Sequence, residues 1–238
     1  MSDIRLHSPE QETTSHHPYI SASDRARAAA ELLLAGALVI GANLLDVVPI
    51  SETPWLVVIG WLSLRLRGLG WRDLGLRRPE SWVVIVLTAL LAAVALQLFS
   101  EFVSTPIIER LTGERPDLSG FRPLVGNLPL TLAMFAAIWV LAAFGEELAY
   151  RGYVLERAAT LGKRSPRAYL VAMVGVSLLF GLGHFYQGVA GMADSTVSGL
   201  LFGGLYLAGG RNLWLPILAH GFSDTIALGL VYLGLVSI

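Results

Sequence analysis

Two carboxylates and a guanidinium interrupt a long apolar run in segment 145–151, which reads Gly-Glu-Glu-Leu-Ala-Tyr-Arg. The stretch before it, 128–144, carries no charge. A charge near the centre of a bilayer costs about 2.5–3.5 kcal/mol on insertion scales, so ionisable side chains in apolar spans are rare unless they have a function. A carboxylate held there can take a proton from water as a general base. The alternative interpretation is a structural ion pair that locks two helices together.

Helical spacing gives the two glutamates different partners. Glu147 and Arg151 are four residues apart, with the acid on the N-terminal side, which favours an ion pair on one helix face. Glu146 lies about 100° further round the helix axis, and Ala149 and Tyr150 at its i+3 and i+4 positions offer no opposite charge. We therefore predict that Glu146 is catalytic and that Glu147 and Arg151 support it structurally.

Two further apolar runs contain one histidine each. His184 follows Phe180 by four residues, and His220 precedes Asp224 by four residues. A lone buried histidine is usually a core residue with satisfied hydrogen bonds, but three such sites in one short membrane chain favour a single shared polar site. Folding the chain back at Gly162 places His184 about 9 Å beyond the level of Glu146, which allows the groups to meet.

The composition indicates a polytopic membrane protein. Hydrophobic residues make up 54% of the chain and charged residues only 15%. The formal net charge of -1 gives no sign of a nucleic-acid partner, and the absence of cysteine excludes disulfides, thiol nucleophiles and cysteine zinc sites. Lys163 is the one lysine among 17 basic residues, a usage typical of a GC-rich bacterial genome.

The elements that position these residues are predicted to be transmembrane helices. We predict an all-α, polytopic bundle of seven helices, or eight if the last run is broken near Gly221 or Gly229. Residues 1–24 are predicted to be a disordered polar tail, and 25–238 a single transmembrane domain. The predicted spans are 28–48, 54–64, 81–102, 128–155, 168–186, 189–208 and 213–238.

Arginine-rich flanks set the expected orientation. Basic residues precede the first span, follow the second at 65–78, and follow the fourth at 157–167. Basic loops stay in the cytoplasm, so the N-terminus is predicted to be cytoplasmic, in an integral protein of a bacterial inner membrane. The mixed-charge connector 106–127 is then expected on the outer face.

Taken together, the three motifs resemble those of the CAAX protease and bacteriocin-processing family of intramembrane proteases, also called the Abi family, which includes the type II CAAX prenyl endopeptidases. The resemblance covers about residues 125–230. Its residues here are Glu146, Glu147 and Arg151; Phe180 and His184; and His220 and Asp224, preceded by Asn212, Leu213, Pro216 and Ile217. Asp224 stands where many members have asparagine.

The resemblance implies an endopeptidase that hydrolyses a peptide bond in a membrane-associated peptide or protein, within a lipid bilayer. Glu146 and His184 would activate the water, and His220 and Asp224 would polarise the carbonyl or stabilise the oxyanion. Members are described both as metalloproteases and as metal-free, glutamate-dependent proteases. The Glu/His mechanism needs no cofactor, and a divalent metal such as zinc stays open.

Two other functions compete with the protease. One is a non-catalytic membrane protein for bacteriocin self-immunity, which binds a peptide without cutting it. The other is a proton-linked transporter in which Glu146, His184 and His220 form a relay. The chain halves show no inverted repeat, which disfavours the transporter.

Overall fold

The structure, a computed structural model, describes residues 20–45 and 51–236. Positions 1–19 of the predicted tail lie outside the described residues, and the first helix already includes 22–24. Regular secondary structure in the described part of the chain is entirely helical, which confirms the all-α class. Its longer helices are α1 (Ala22–Leu45), α2 (Thr53–Leu66), α3 (Trp82–Thr112), α4 (Leu128–Leu161), α5 (Pro166–Leu182), α6 (Gly188–Ala208) and α7 (Trp214–Tyr232).

The number of helices able to cross a membrane is smaller than predicted. Within the described ranges, α1, α3, α4 and α7 are long and apolar enough, and α5 and α6 qualify only as a pair that is bent by 62° where they meet. The count is therefore four, or five with that pair, and the prediction of seven or eight spans is wrong on this criterion. The helix α2 has 14 residues, about 21 Å of rise, against a hydrocarbon core of about 30 Å. The last run is one unbroken helix.

Helices α5 and α6 form a hairpin that starts and ends at the same end of the bundle. Their small residues let the backbones pack closely, with Gly199 against Ser177 and Gly203 against Met173. Near the ends of the hairpin, the Tyr169 and Tyr206 hydroxyls both donate to the buried Glu156 carboxylate, at 2.9 and 3.1 Å. The hairpin tip, at 183–188, therefore reaches into the bundle from that end.

The long helix α4 carries the Glu-Glu motif in its most unusual segment. Between Ile138 and Val154 its backbone is wound as a π-helix, and the Leu155 N–H donates to the Tyr150 carbonyl five residues earlier. Such wide turns are rare and occur mainly at functional sites. Residues 147–157 of the helix are buried without interruption, so the end of the motif lies inside the bundle.

Helices α1 and α2 pack against α4 around an ion pair between Glu31 and Arg157. The Glu31 carboxylate of α1 lies 2.8 Å from Arg157 Nε and accepts the Tyr153 hydroxyl at 3.0 Å. Ser63 of α2 donates to the same carboxylate at 2.7 Å. Buried charges need such partners, and the shared carboxylate fixes how the first two helices pack against α4.

Candidate active site

Glu147 is the centre of the polar site. Its side chain is fully buried, and its Oε1 accepts hydrogen bonds from Arg151 Nη1 at 2.8 Å and from His220 Nδ1 at 2.9 Å. The ion pair that the spacing predicts is thus present. The contact with His220 was not predicted, because the two residues are 73 positions apart.

Arg151 ties α4 to the hairpin. Its second terminal nitrogen donates to the Gly199 carbonyl of α6 at 3.1 Å. Its guanidinium lies over the rings of Phe180 and Phe202, with 4.7 and 5.5 Å to their centroids. These cation–π contacts, together with two charge-assisted hydrogen bonds, compensate for burying the guanidinium.

His220 lies between two carboxylates. Its Nδ1 donates to Glu147, because a carboxylate can only accept, and its Nε2 lies 3.4 Å from Asp224 Oδ2. The ring stacks on Phe202 at 4.5 Å between centroids and 18° between planes. Stacking and the two carboxylates hold the imidazole in one orientation.

Glu146 is the carboxylate without a partner. The neighbouring Glu147 uses the available donors, and Glu146 makes no hydrogen bond or ion pair within the described ranges. It is half-buried and experiences the charges of His220, Asp224 and Arg151. The unpaired carboxylate that the sequence predicts therefore lies near the third motif.

His184 differs from the prediction in its setting. The sequence places it inside the fifth span, but α5 ends at Leu182 and His184 lies in the tight turn that follows. Its Nδ1 is 2.9 Å from the Phe180 carbonyl. A carbonyl only accepts, so Nδ1 carries the proton and Nε2 keeps the lone pair that can accept a proton from water.

The depth of His184 also differs from the estimate. Tyr150 and Arg151 of α4 both lie against Phe180 of α5. Glu146 lies four residues before Tyr150 on α4, and His184 lies four residues after Phe180. The two predicted catalytic residues are thus at a similar level, closer than the 9 Å offset expected. The estimate reversed the chain at Gly162, whereas α5 begins only at Pro166.

Sequence reasoning missed one buried carboxylate of this site. Glu52, directly before α2, accepts the Tyr150 hydroxyl at 2.7 Å and is 8% exposed. It also acts electrostatically on His184. The only signal in the sequence is a lone acid before a short apolar run, beside Pro54, and no motif accompanies it.

The arrangement of these residues does not fit a metal centre. In the described part of the chain no three histidine or carboxylate side chains are grouped so as to hold an ion. Both ring nitrogens of His220 already face carboxylates, so neither is directed at a shared ligand position. Such a centre needs three or four convergent donors, and we assign none.

A comparison with protein families supports the resemblance that the motifs suggest. Residues 128–226 match the model of the type II CAAX prenyl endopeptidase Rce1-like family. The matched segment runs from the start of α4 into α7 and contains the motif residues described above. No curated protein and no solved structure matched the chain. Residues 128–226 are therefore similar to the type II CAAX prenyl endopeptidase Rce1-like family, in agreement with the CAAX protease resemblance that the motif series predicts.

Proposed function

We propose that this protein is a membrane-embedded endopeptidase that hydrolyses a peptide bond in a membrane-associated peptide or protein. The match of residues 128–226 to the family model supports protease activity, and together with the apolar helices it supports an integral membrane location. The observation that carries the proposal is that Glu146, a carboxylate without a partner among the described residues, lies near His220, whose ring nitrogens face Glu147 and Asp224. Such a pair supplies both a base for water and a donor for the developing oxyanion.

The first step is attack by water on the scissile carbonyl. Glu146 takes one proton from the water, and His184, whose Nδ1 donates to the Phe180 carbonyl, supplies the Nε2 lone pair as a second acceptor. The water oxygen bonds to the carbonyl carbon, and the carbonyl oxygen becomes an oxyanion. The Nε2–H of His220, otherwise directed at Asp224, stabilises that charge, a contribution worth about 3 kcal/mol per donor in other hydrolases.

The second step is collapse of the tetrahedral intermediate. The proton held by Glu146 or His184 passes to the leaving nitrogen, the C–N bond breaks, and the products are a carboxylate and an amine. Asp224 accepts from His220 while the oxyanion is absent, and so keeps Nε2 directed into the site. Glu147 and Arg151 do not touch the substrate in this scheme; they hold the imidazole and the helices in place.

The cleavage test uses purified protein in detergent micelles with a panel of membrane-tethered peptides. We expect Glu146→Gln to lower kcat by at least about 100-fold, because a positioned general base contributes about 10²–10⁴. Glu109→Gln is the matched control, since Glu109 is half-exposed near the end of α3 and pairs with Arg115 at 2.9 Å. Equal cleavage by wild type and Glu146→Gln would refute the mechanism. Peptide binding without cleavage would favour the immunity or binding function instead.

We also propose that the basic end of the bundle faces the cytoplasm. The start of α1, the end of α2 and the end of α4 share that end, through Glu31, Ser63 and Arg157. Basic flanks stay on the cytoplasmic side. Reporters fused to either terminus test the orientation, and an external signal from the N-terminal fusion would contradict it.

A further inference from the structure

Glu52 stands outside the family segment but inside the candidate active site. The family match begins at residue 128, whereas Glu52 comes from the chain before α2, 98 positions away from its partner Tyr150. Its carboxylate is 8% exposed, and burying a charge without function is unfavourable. The α1–α2 pair therefore brings a carboxylate to a site whose recognised motifs all lie on α4 to α7.

The contacts of Glu52 lead directly to the turn that holds His184. The Tyr150 ring meets the Phe180 ring edge-on at 5.0 Å, and the Phe180 carbonyl bonds His184 Nδ1 at 2.9 Å. The Phe180 and His184 rings are 4.7 Å apart. Glu52 therefore holds the Tyr150 ring in place through its hydroxyl. The Tyr150 ring packs on Phe180, and the His184 imidazole lies against Phe180.

Gly183 shows how close Glu52 approaches that turn. A Cβ atom added to Gly183 would lie 2.7 Å from Glu52 Oε1 and 3.3 Å from the Tyr150 hydroxyl. The residue directly before His184 must therefore be glycine for the carboxylate to reach its present position. Glu52 is in direct contact with the backbone that orients His184.

The Glu52 carboxylate also acts on His184 through its charge. Several charged or titratable groups face His184: Glu52 from the start of α2, His220 and Asp224 from α7, Asp194 from α6, and Tyr186 in its own turn. The interaction with Glu52 is stronger than those with His220 and Asp224. A negative charge at this distance favours the imidazolium that forms when His184 accepts a proton.

We propose that Glu52 is a positioning residue for His184, which orients the imidazole through Tyr150 and Gly183 and stabilises its protonated form during catalysis. The proposal rests on the proposed proteolytic function for its catalytic consequence, but the contact itself is independent of that function. Glu52 touches neither water nor peptide in this scheme. It acts as the third group that orients a catalytic base.

The kinetic test compares three variants. Glu52→Gln keeps an acceptor for the Tyr150 hydroxyl but removes the charge, and Tyr150→Phe removes the hydroxyl but keeps the charge. We expect Glu52→Gln to lower kcat about tenfold or more, with KM unchanged within about twofold, because only part of a base contribution of about 10²–10⁴ is lost. Glu156→Gln is the matched control: Glu156 is also a buried carboxylate bonded by tyrosine hydroxyls, but at the other end of α4.

The pH dependence of kcat/KM distinguishes a positioning role of Glu52 from a purely structural one. Protonated His184 cannot accept a proton from water, so activity falls as pH falls through its titration. Without the Glu52 charge, protonation of His184 requires a lower pH, so we expect the acidic limb of kcat/KM to move to lower pH in Glu52→Gln. Tyr150→Phe and Glu156→Gln should leave that limb in place. An unmoved limb in Glu52→Gln would overturn the proposal.

A spectroscopic measurement distinguishes a failure of the Glu52 proposal from a failure of the proposed proteolytic function. In protein with ¹⁵N-labelled histidine, replacing His7, His16 and His17 by Asn leaves the ring signals of His184 and His220. The His184 signal should titrate at lower pH in Glu52→Gln than in the wild type, whether or not any peptide is cleaved. Gly183→Ala, which pushes the carboxylate away without changing any charge, should shift it in the same direction. No shift in either variant would refute the role of Glu52, even if Glu146→Gln abolishes cleavage.

Discussion

The same substitution at two adjacent glutamates should have opposite effects on stability. Glu147 is fully buried and accepts from both Arg151 and His220. In Glu147→Gln those two cationic groups lose their counter-charge. Breaking a buried ion pair by removing one partner costs about 3–5 kcal/mol. At about 2–4 °C per kcal/mol for a chain of this size, the unfolding temperature should fall by about 6–20 °C.

Glu146→Gln is the matched substitution one residue earlier. Glu146 is half-buried and has no hydrogen-bonding partner among the described residues, so the amide replaces a carboxylate that was desolvated without compensation. We expect its unfolding temperature to equal or exceed that of the wild type, even though cleavage is lost. Glu147→Gln is thus expected to lower the unfolding temperature, whereas Glu146→Gln is expected to abolish cleavage without lowering it.

The assay is thermal unfolding of the purified variants in one detergent, followed by tryptophan fluorescence. Wild type, Glu146→Gln and Glu147→Gln are measured together at neutral pH. The reasoning is refuted if Glu147→Gln unfolds within about 2 °C of Glu146→Gln, because the buried ion pair would then contribute less than about 1 kcal/mol. It is also refuted if Glu146→Gln is the less stable variant.

Three further outcomes follow from contacts in the same region. The double variant Glu147→Gln/Arg151→Met should be more stable than the sum of its single variants predicts, by about 1–3 kcal/mol in a double-mutant cycle, because the two residues share one interaction. Gly221→Ala should lower the free energy of unfolding by about 1–3 kcal/mol, since its Cβ would lie 2.5 Å from the Trp139 ring; chemical denaturation measures the change. Asp224→Asn should keep most of the cleavage rate, because an amide oxygen can still accept from the imidazole one turn earlier, and a loss above about 100-fold would contradict that role.

Local spacing was sufficient to predict the central ion pair. Glu147 and Arg151 lie on one helix, four residues apart, and no tertiary contact is needed to bring them together. The motif order on separate helices also predicted that the third motif approaches the first. Both predictions depend on short-range geometry or on matching depth along packed helices, and these can be estimated from helix rise alone.

The contacts that the sequence did not predict are long-range or depend on backbone irregularity. Glu52 meets Tyr150 across 98 positions, and its neighbouring sequence carries no motif. His184 lies in a turn and not in a helix, because α5 ends two residues earlier. The number of spans was overestimated because hydropathy alone shows neither that α2 is too short for a full span nor that α5 and α6 are bent where they meet and qualify only as a pair.

The buried ion pair explains how three motifs on different helices become one site. Glu147 receives His220 from α7, and its partner Arg151 donates to the Gly199 carbonyl on α6 and lies over Phe180 on α5. One pair on α4 thus fixes the helices that carry both histidines. Because Glu147 takes both donors, Glu146 is left without one, and its carboxylate is available for water. The arrangement requires two adjacent acids: the first can stay free only while the second holds the cations.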